Sequence, residues 1–213
     1  MTLKKINLLV LSGVFAFLAS CANKPPAPAL SKTDDGYKNP FEQGTYDYFT
    51  AEKDYPKTYN VWRNIQLLPS TDSSNSWVNI DLKTQRGKLM KGDIVVMDYP
   101  ISSGTKSRPT PPGDYKILEK IVDKRSNLYG KILDADGVVV NSDADAKTDE
   151  IPEGGKFAGA PMRYWMRLTN DGVGHHIGNV PRYPASHACI RGPSKVIPTV
   201  YSKVGVGTRV LVQ

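Results

Sequence analysis

The sequence predicts a mainly β domain, a sandwich or mixed sheets with short helices, carried behind an export signal and a tether. Three observations predict it. From Trp77 onward apolar and polar residues alternate at a period of two, and Gly- and Pro-containing turns punctuate the runs. At the other end, an apolar run from Ile6 to about Leu18 follows Lys4-Lys5 and closes just before Cys21. Between the two lies a stretch of Pro, Ala, Lys and Ser with few large apolar residues. At 213 residues the chain has room for one domain with a full core plus these extra segments.

Taken in order, residues 1–20 read as a leader whose apolar run is too short and too abruptly ended to span a membrane. Its close, Leu18-Ala19-Ser20-Cys21, resembles the bacterial lipobox. That resemblance implies cleavage before Cys21 and acylation of this residue, with more than one chain giving a stable membrane anchor. Cys21 is then spent and cannot pair with Cys189, the other cysteine of the chain. Residues 21–40 are the tether. Residues 41–76 form an N-terminal extension with a short helix expected over Thr58 to Leu68, where Val61, Ile65 and Leu68 fall at helical spacing between Pro56 and Pro69.

The domain proper is expected over residues 77–213. Trp77 to Leu82 alternates as a strand, Gln85-Arg86-Gly87 turns, and Lys88 to Met90 continues. Gly92-Asp93 is a second turn, and Ile94 to Tyr99 a strand leading into Pro100-Ile101-Ser102-Ser103-Gly104. Thr110-Pro111-Pro112-Gly113 reads as a turn, with Thr110 and Gly113 as turn formers, and Tyr115 to Ile121 as one further strand. Val138-Val139-Val140, after Asp136-Gly137, is expected as a buried strand or hairpin arm. Asn141 to Gly155 is acidic, but it lacks the glycine and terminal glutamate of a calcium loop, so it reads as a solvated loop. In Met162 to Leu168, Met162, Tyr164, Met166 and Leu168 share a core face, and Arg163, Trp165 and Arg167 face a cleft. Ser194 to Val204 gives one short helix near Pro198, and Gly207 to Val212 a closing strand.

The chemistry concentrates between Gly174 and Arg191. All three histidines of the chain, His175, His176 and His187, lie there with Cys189. Cysteine and histidine together serve nucleophilic catalysis, in which a thiolate attacks and an imidazole takes and returns the proton. The same residue types ligate zinc, so a structural site of His175, His176, His187 and Cys189 stands as the alternative. In an extended strand His187 and Cys189 would share a face about 7 Å apart.

The window His176, then Ser186-His187-Ala188-Cys189-Ile190-Arg191, resembles the active-site motif of the L,D-transpeptidase (YkuD-like) catalytic domain. The opening strand with its Gln, the Ser-x-Gly of residues 102–104 and the Thr-Pro-x-Gly of residues 110–113 resemble it too. The resemblance implies a YkuD-like β fold and peptidoglycan stem peptides as substrate. It also implies Cys189 as the nucleophile, its thiolate favoured by His176 as general base and acid. The Ile177 carbonyl would orient His176, and His187 would support the loop. The backbone N–H of Cys189 and of Ala188 would receive the oxyanion, and Ser186 and Arg191 would contact substrate, Arg191 through its fork or else in a structural ion pair. An insertion near residues 141–155 would lie over the cleft as a lid. Ala188 stands where the family has Gly; it costs about 1–2 kcal/mol if φ there is positive and little if the Gly only gives clearance. A non-catalytic, peptidoglycan-binding lipoprotein whose Cys/His site is inactive or holds zinc is the competing reading.

The formal net charge of +7 suits an anionic partner such as a cell-wall polymer or a membrane surface reached through the lipid. Nucleic acid is disfavoured, because no Lys/Arg run or basic-aromatic alternation occurs. The expected chemistry needs no cofactor, and the expected place is the cell envelope, with the catalytic domain in the periplasm.

Overall fold

The computed structural model describes residues 31–213. The leader, Cys21 and the first half of the tether lie outside the described residues. Residues 31–37 belong to a separate N-terminal unit, in which Asp34 Oδ2 accepts from Ser31 N–H at 2.7 Å. The chain from Lys38 to Gln213 forms the second unit. Among the described residues no helix is long and apolar enough to cross a membrane.

The second unit opens with α1 (Tyr46–Ala51), started by Thr45, whose Oγ1 accepts from Tyr48 N–H at 3.1 Å. The strands follow as β1 (Trp62–Arg63), β2 (Ser76–Asp81), β3 (Arg86–Lys91), β4 (Ile94–Pro100) and β5 (Gly113–Lys116). Next come β6 (Glu119–Ile121), β7 (Arg125–Leu133), β8 (Val139–Asp145), β9 (Lys156–Pro161), β10 (Trp165–Arg167) and β11 (Gly174–Ile177). The chain closes with β12 (Ile190–Gly192), α2 (Ile197–Lys203) and β13 (Arg209–Val212). They build a six-stranded sheet in the order β1-β4-β3-β2-β13-β5, a four-stranded sheet β12-β11-β10-β6, and a three-stranded sheet β8-β7-β9. The mainly β, mixed-sheet expectation is met.

Period-two alternation does the work expected of it. Val78 and Ile80 of β2 and Val210 and Val212 of β13 alternate into the core, while β4 is buried on both faces from Val96 to Pro100. They meet Met166, Leu168 and Ile190 from the four-stranded sheet, and Val196, Ile197, Val200 and Val204 from α2 and its ends. Each such aliphatic side chain contributes about 1.5–3 kcal/mol by leaving water.

Several local expectations are corrected. No helix forms over Thr58 to Leu68: Trp62 and Arg63 pair with Asp98 and Met97 at the sheet edge. Asn64 Oδ1 then accepts from Gln66 and Leu67 N–H, closing a turn that leaves Ile65 78% exposed. Tyr115 to Ile121 is two strands, because β5 joins β13 in the large sheet while β6 joins β10 in the other. Ile117, between them, is buried in the core. Val138, Val139 and Val140 form a hairpin arm as expected but are exposed, not buried. Tyr164 takes φ +56° and breaks the expected strand, so β10 is short and Trp165 is buried. The acidic stretch is internally bonded: Asp149 Oδ2 accepts from Asn141 Nδ2 and from Asp145 N–H, each at 2.9 Å.

The extension is fastened to the large sheet by an ion pair. Arg86 Nε lies 2.6 Å from Asp98 Oδ1, and both side chains are fully buried. The remaining valences are met from the extension: Tyr46 and Tyr55 hydroxyls donate to Asp98 Oδ2, and Arg86 donates to the carbonyls of Thr58 and Asn60. Phe49 and Tyr55 rings flank the guanidinium, each 5.5 Å from it. An ion pair taken out of water is tolerable only when its lone pairs and protons are satisfied in this way.

Candidate active site

Two parallel neighbours, β11 and β12, place the chemistry. Parallel strands need a crossover of a dozen residues or more, usually helical. Here the crossover is the loop 178–189, which carries the Ser-His-Ala-Cys motif. The register pairs His175 with Ile190 and His176 with Arg191. Continued one residue back, it sets Cys189 beside Gly174, on the face of β11 that also carries His176. Gly174 is required there, because a Cβ would come within 2.5 Å of the Trp165 ring.

His176 is buried on that face, and its Nδ1–H donates to the Ile177 carbonyl at 2.7 Å, as the motif resemblance implies. The bond to a carbonyl fixes the tautomer and leaves Nε2 as the basic nitrogen. The Trp165 ring lies 5.8 Å from the imidazole. Burial is the main cause that lowers His176 to about 4. Cys189 is pushed up by burial and pulled back by the Gly174 amide and by Arg191; its thiol donates to the Gly172 carbonyl at 3.7 Å. Both shifts favour a thiol beside a neutral imidazole at rest, where the sequence reading expects a thiolate. A neutral imidazole is what a proton acceptor requires.

Ala188 has φ +74°, so the residue sits in the left-handed region and carries the strain foreseen for that case. Its carbonyl accepts from Thr110 Oγ1 at 2.7 Å, and Thr110 Oγ1 accepts from Gly104 N–H at 2.8 Å. A trans peptide sets C=O and N–H on opposite sides, so Thr110 also fixes the direction of the Cys189 N–H. Thr110 is thus more than the turn former read from the sequence. Its place beside Pro111-Pro112-Gly113 was visible, but the reach across the fold to Ala188 was not.

Ser186 is buried, and its hydroxyl donates to the Cys189 carbonyl. It holds the loop, which leaves little of it for substrate. His187 does not share an extended strand with Cys189, because Ala188 turns the chain between them. Its ring packs 4.3 Å from Tyr129 of β7 and lies 4.0 Å from Asp143 Oδ1. Arg191 donates to the Ala185 carbonyl at 3.2 Å and lines the cleft. His175 points the other way: Nδ1 pairs with the Ile190 carbonyl at 2.8 Å and Nε2 with the Tyr99 hydroxyl at 3.2 Å, deep in the core. With both nitrogens engaged in the core it is not available to a zinc site with Cys189.

Two cavities meet at the thiol. One of about 350 Å³ is lined by Tyr129, Met162, Arg163, His176, Asn179 and Arg191. The other, about 430 Å³, is lined by Arg108, Lys124, Trp165, Arg167, Asp171 and Gly172. Cys189, His187 and Tyr129 border both. Arg163 and Arg167 line these cavities as expected, Trp165 reaches the second although it is buried, and Met162, expected on the core face, borders both.

A model of the L,D-transpeptidase catalytic domain family, YkuD, matches residues 75–212. The chain belongs to this family. Solved structures similar to it include an L,D-transpeptidase from Mycobacterium smegmatis, 22% identical over 65% of this chain and 58% of that one, with a TM-score of 0.49. A cysteine-to-serine mutant of the Enterococcus faecium L,D-transpeptidase is 26% identical over 66% of this chain and 50% of that one, TM-score 0.48. The L,D-transpeptidase from Xylanimonas cellulosilytica is 22% identical over 67% and 62%, TM-score 0.49. This chain thus spans 50% to 62% of the length of those three. No curated protein matches it. As in the L,D-transpeptidase motif, His176 and Cys189 stand at the two ends of one crossover loop.

Proposed function

We propose that this chain is a peptidoglycan L,D-transpeptidase, anchored through Cys21 in the cell envelope with its catalytic domain in the periplasm. The observation that carries the reading is the site itself: a thiol and a tautomer-fixed, neutral histidine on neighbouring strands, at the junction of two cavities. Cys189 Sγ attacks the stem-peptide carbonyl before D-Ala as its proton passes to His176 Nε2. The C–N bond to D-Ala then breaks, and His176 returns the proton to the departing amine. The thioester left on Cys189 is taken by an amine, deprotonated in turn by His176, or by water. The Cys189 N–H, aimed by Thr110, and the Ala188 N–H are the proposed oxyanion donors. Arg191 offers its fork to a substrate carboxylate.

Two cavities at one thiol favour transfer over simple hydrolysis, because donor and acceptor can flank the thioester together. The test is incubation of the purified protein with disaccharide-tetrapeptide, followed by mass spectrometry. Released D-Ala with a cross-linked dimer is the expected result; no D-Ala release would sink the reading. For the anchor, Cys21→Ala should leave the protein soluble with its domain folded. Recovery of that variant in the membrane pellet with its leader removed would refute the lipid.

A further inference from the structure

A third cavity, about 430 Å³, opens beside the loop that carries the motif and is roofed by the N-terminal extension. Tyr59 and Arg63 of the extension line one side of it, and Ser194 and Lys195 the other. Gly178 and Asn179 line it and also border the cavity at His176 and Cys189, so the two spaces are neighbours. Two cations, Arg63 and Lys195, line the groove and no carboxylate does.

Its aromatic wall is held rigidly. The carbonyls on either side of Tyr59, those of Thr58 and Asn60, both accept from the buried Arg86 guanidinium. Yet the Tyr59 ring itself is 60% exposed. Arg182, from the motif loop, lies with its guanidinium carbon 3.7 Å from that ring centre. Its backbone is held at φ +65°, and its N–H donates to Ser102 Oγ at 3.1 Å. Arg182 Nε is buried and has no hydrogen-bond partner among the described residues. Around the groove, then, stand a rigid exposed tyrosine, the Arg182 guanidinium stacked on its ring, and two exposed cations with no ion-pair partner among the described residues. Such an arrangement attracts an anion.

We infer that this groove is a subsite for the acidic part of the stem peptide, with Arg63 and Lys195 receiving a free carboxylate and Tyr59 packing against the peptide chain. The inference rests on the transpeptidase reading and deepens it: a stem peptide that leaves the catalytic cavity past Asn179 meets this groove next. Two stems meet in the reaction, so the carboxylate belongs either to the acyl donor or to the acceptor.

The test uses the full chain in detergent, with Arg63→Gln/Lys195→Gln as one variant and Tyr59→Ser as a second. Donor engagement is read as D-Ala release from a disaccharide-tetrapeptide, with its glutamate carboxylate either free or amidated. Acceptor engagement is read as dimer formation at saturating donor, with a free or amidated tripeptide acceptor. The double variant should raise KM about ten-fold for one of the two free-acid partners, leave kcat unchanged, and show no preference for acid over amide. Salt should erase the wild-type preference. The arm that responds names the source of the carboxylate. Tyr59→Ser should raise KM for the acid and amide forms alike. Binding of both stem peptides to the Cys189→Ala protein gives a readout that needs no turnover. If the wild type releases no D-Ala yet still prefers the free acid, the enzyme reading fails and the subsite stands. If neither arm nor binding distinguishes acid from amide in the wild type, or the double variant keeps the wild-type preference, the subsite is refuted.

Discussion

Replacing Ala188 by glycine tests the strain in the motif loop. Ala188 sits at φ +74°, a conformation that costs a residue with a Cβ about 1–2 kcal/mol. The loop cannot drift out of it. Thr110 holds the Ala188 carbonyl at 2.7 Å, and Gly104 packs so closely that a Cβ there would lie 2.7 Å from Ala188 Cα. Glycine removes the strain but widens the unfolded ensemble, which takes back about 0.5–1 kcal/mol. The net gain is between about 0 and 1.5 kcal/mol. For a protein of this size that raises Tm by up to about 6 °C. Scanning calorimetry at pH 7 measures it, and D-Ala release should be unchanged or higher. Ala188→Val, a β-branched residue in the same place, should lower Tm well beyond the gain from glycine. The reasoning is refuted if Ala188→Gly melts below wild type, or if Ala188→Val melts with it.

Further outcomes follow from the same geometry. Cys189→Ser should abolish D-Ala release, since burial that already raises the thiol makes an alkoxide far harder to form. For the same reason iodoacetamide should label Cys189 more slowly than free cysteine at pH 7 and gain on it as pH rises; faster labelling at pH 7 would contradict a neutral resting pair. His176→Ala should cost about 10²–10⁴ in turnover while the fold, read by circular dichroism, is kept. His175→Ala should lower urea stability by about 2–4 kcal/mol, because it strands the Tyr99 hydroxyl and the Ile190 carbonyl in the core. Both buried histidines fall from 6.5 to about 4 through desolvation. The unfolded chain therefore binds protons that the native state refuses, so stability is full above pH 6.5 and drains away as pH falls toward about 4. A melting temperature flat between those limits would overturn this.

The large sheet was legible because its signal is local. Trp77 to Leu82 alternates, as a half-buried strand needs, and Ile94 to Tyr99 is a short apolar-rich run after a turn, as a strand buried on both faces needs. Cys189 and His176 were legible through their motif, and the motif also supplied the Ile177 carbonyl. What the sequence hid were facts about partners distant in the chain. Val61, Ile65 and Leu68 carry helical spacing, but edge pairing with β4 and the Asn64 turn decided the conformation. His175 looked like a neighbour of the chemistry, yet strand alternation turns it away from His176 and into the core. Val138 to Val140 looked buried by composition alone, and no local signal told of a projecting hairpin.

The buried Arg86–Asp98 pair separates two boundaries that are easily equated. The family match begins at residue 75, and both ions lie inside it. Four of the groups that satisfy them, on Tyr46, Tyr55, Thr58 and Asn60, lie before it. A fragment cut at the start of the recurring segment would keep the charges and lose their partners, at a cost on the scale of about 3–5 kcal/mol that attends a broken buried pair. What is inherited as a unit is thus shorter than what folds as one, and any excised piece should start ahead of Thr45.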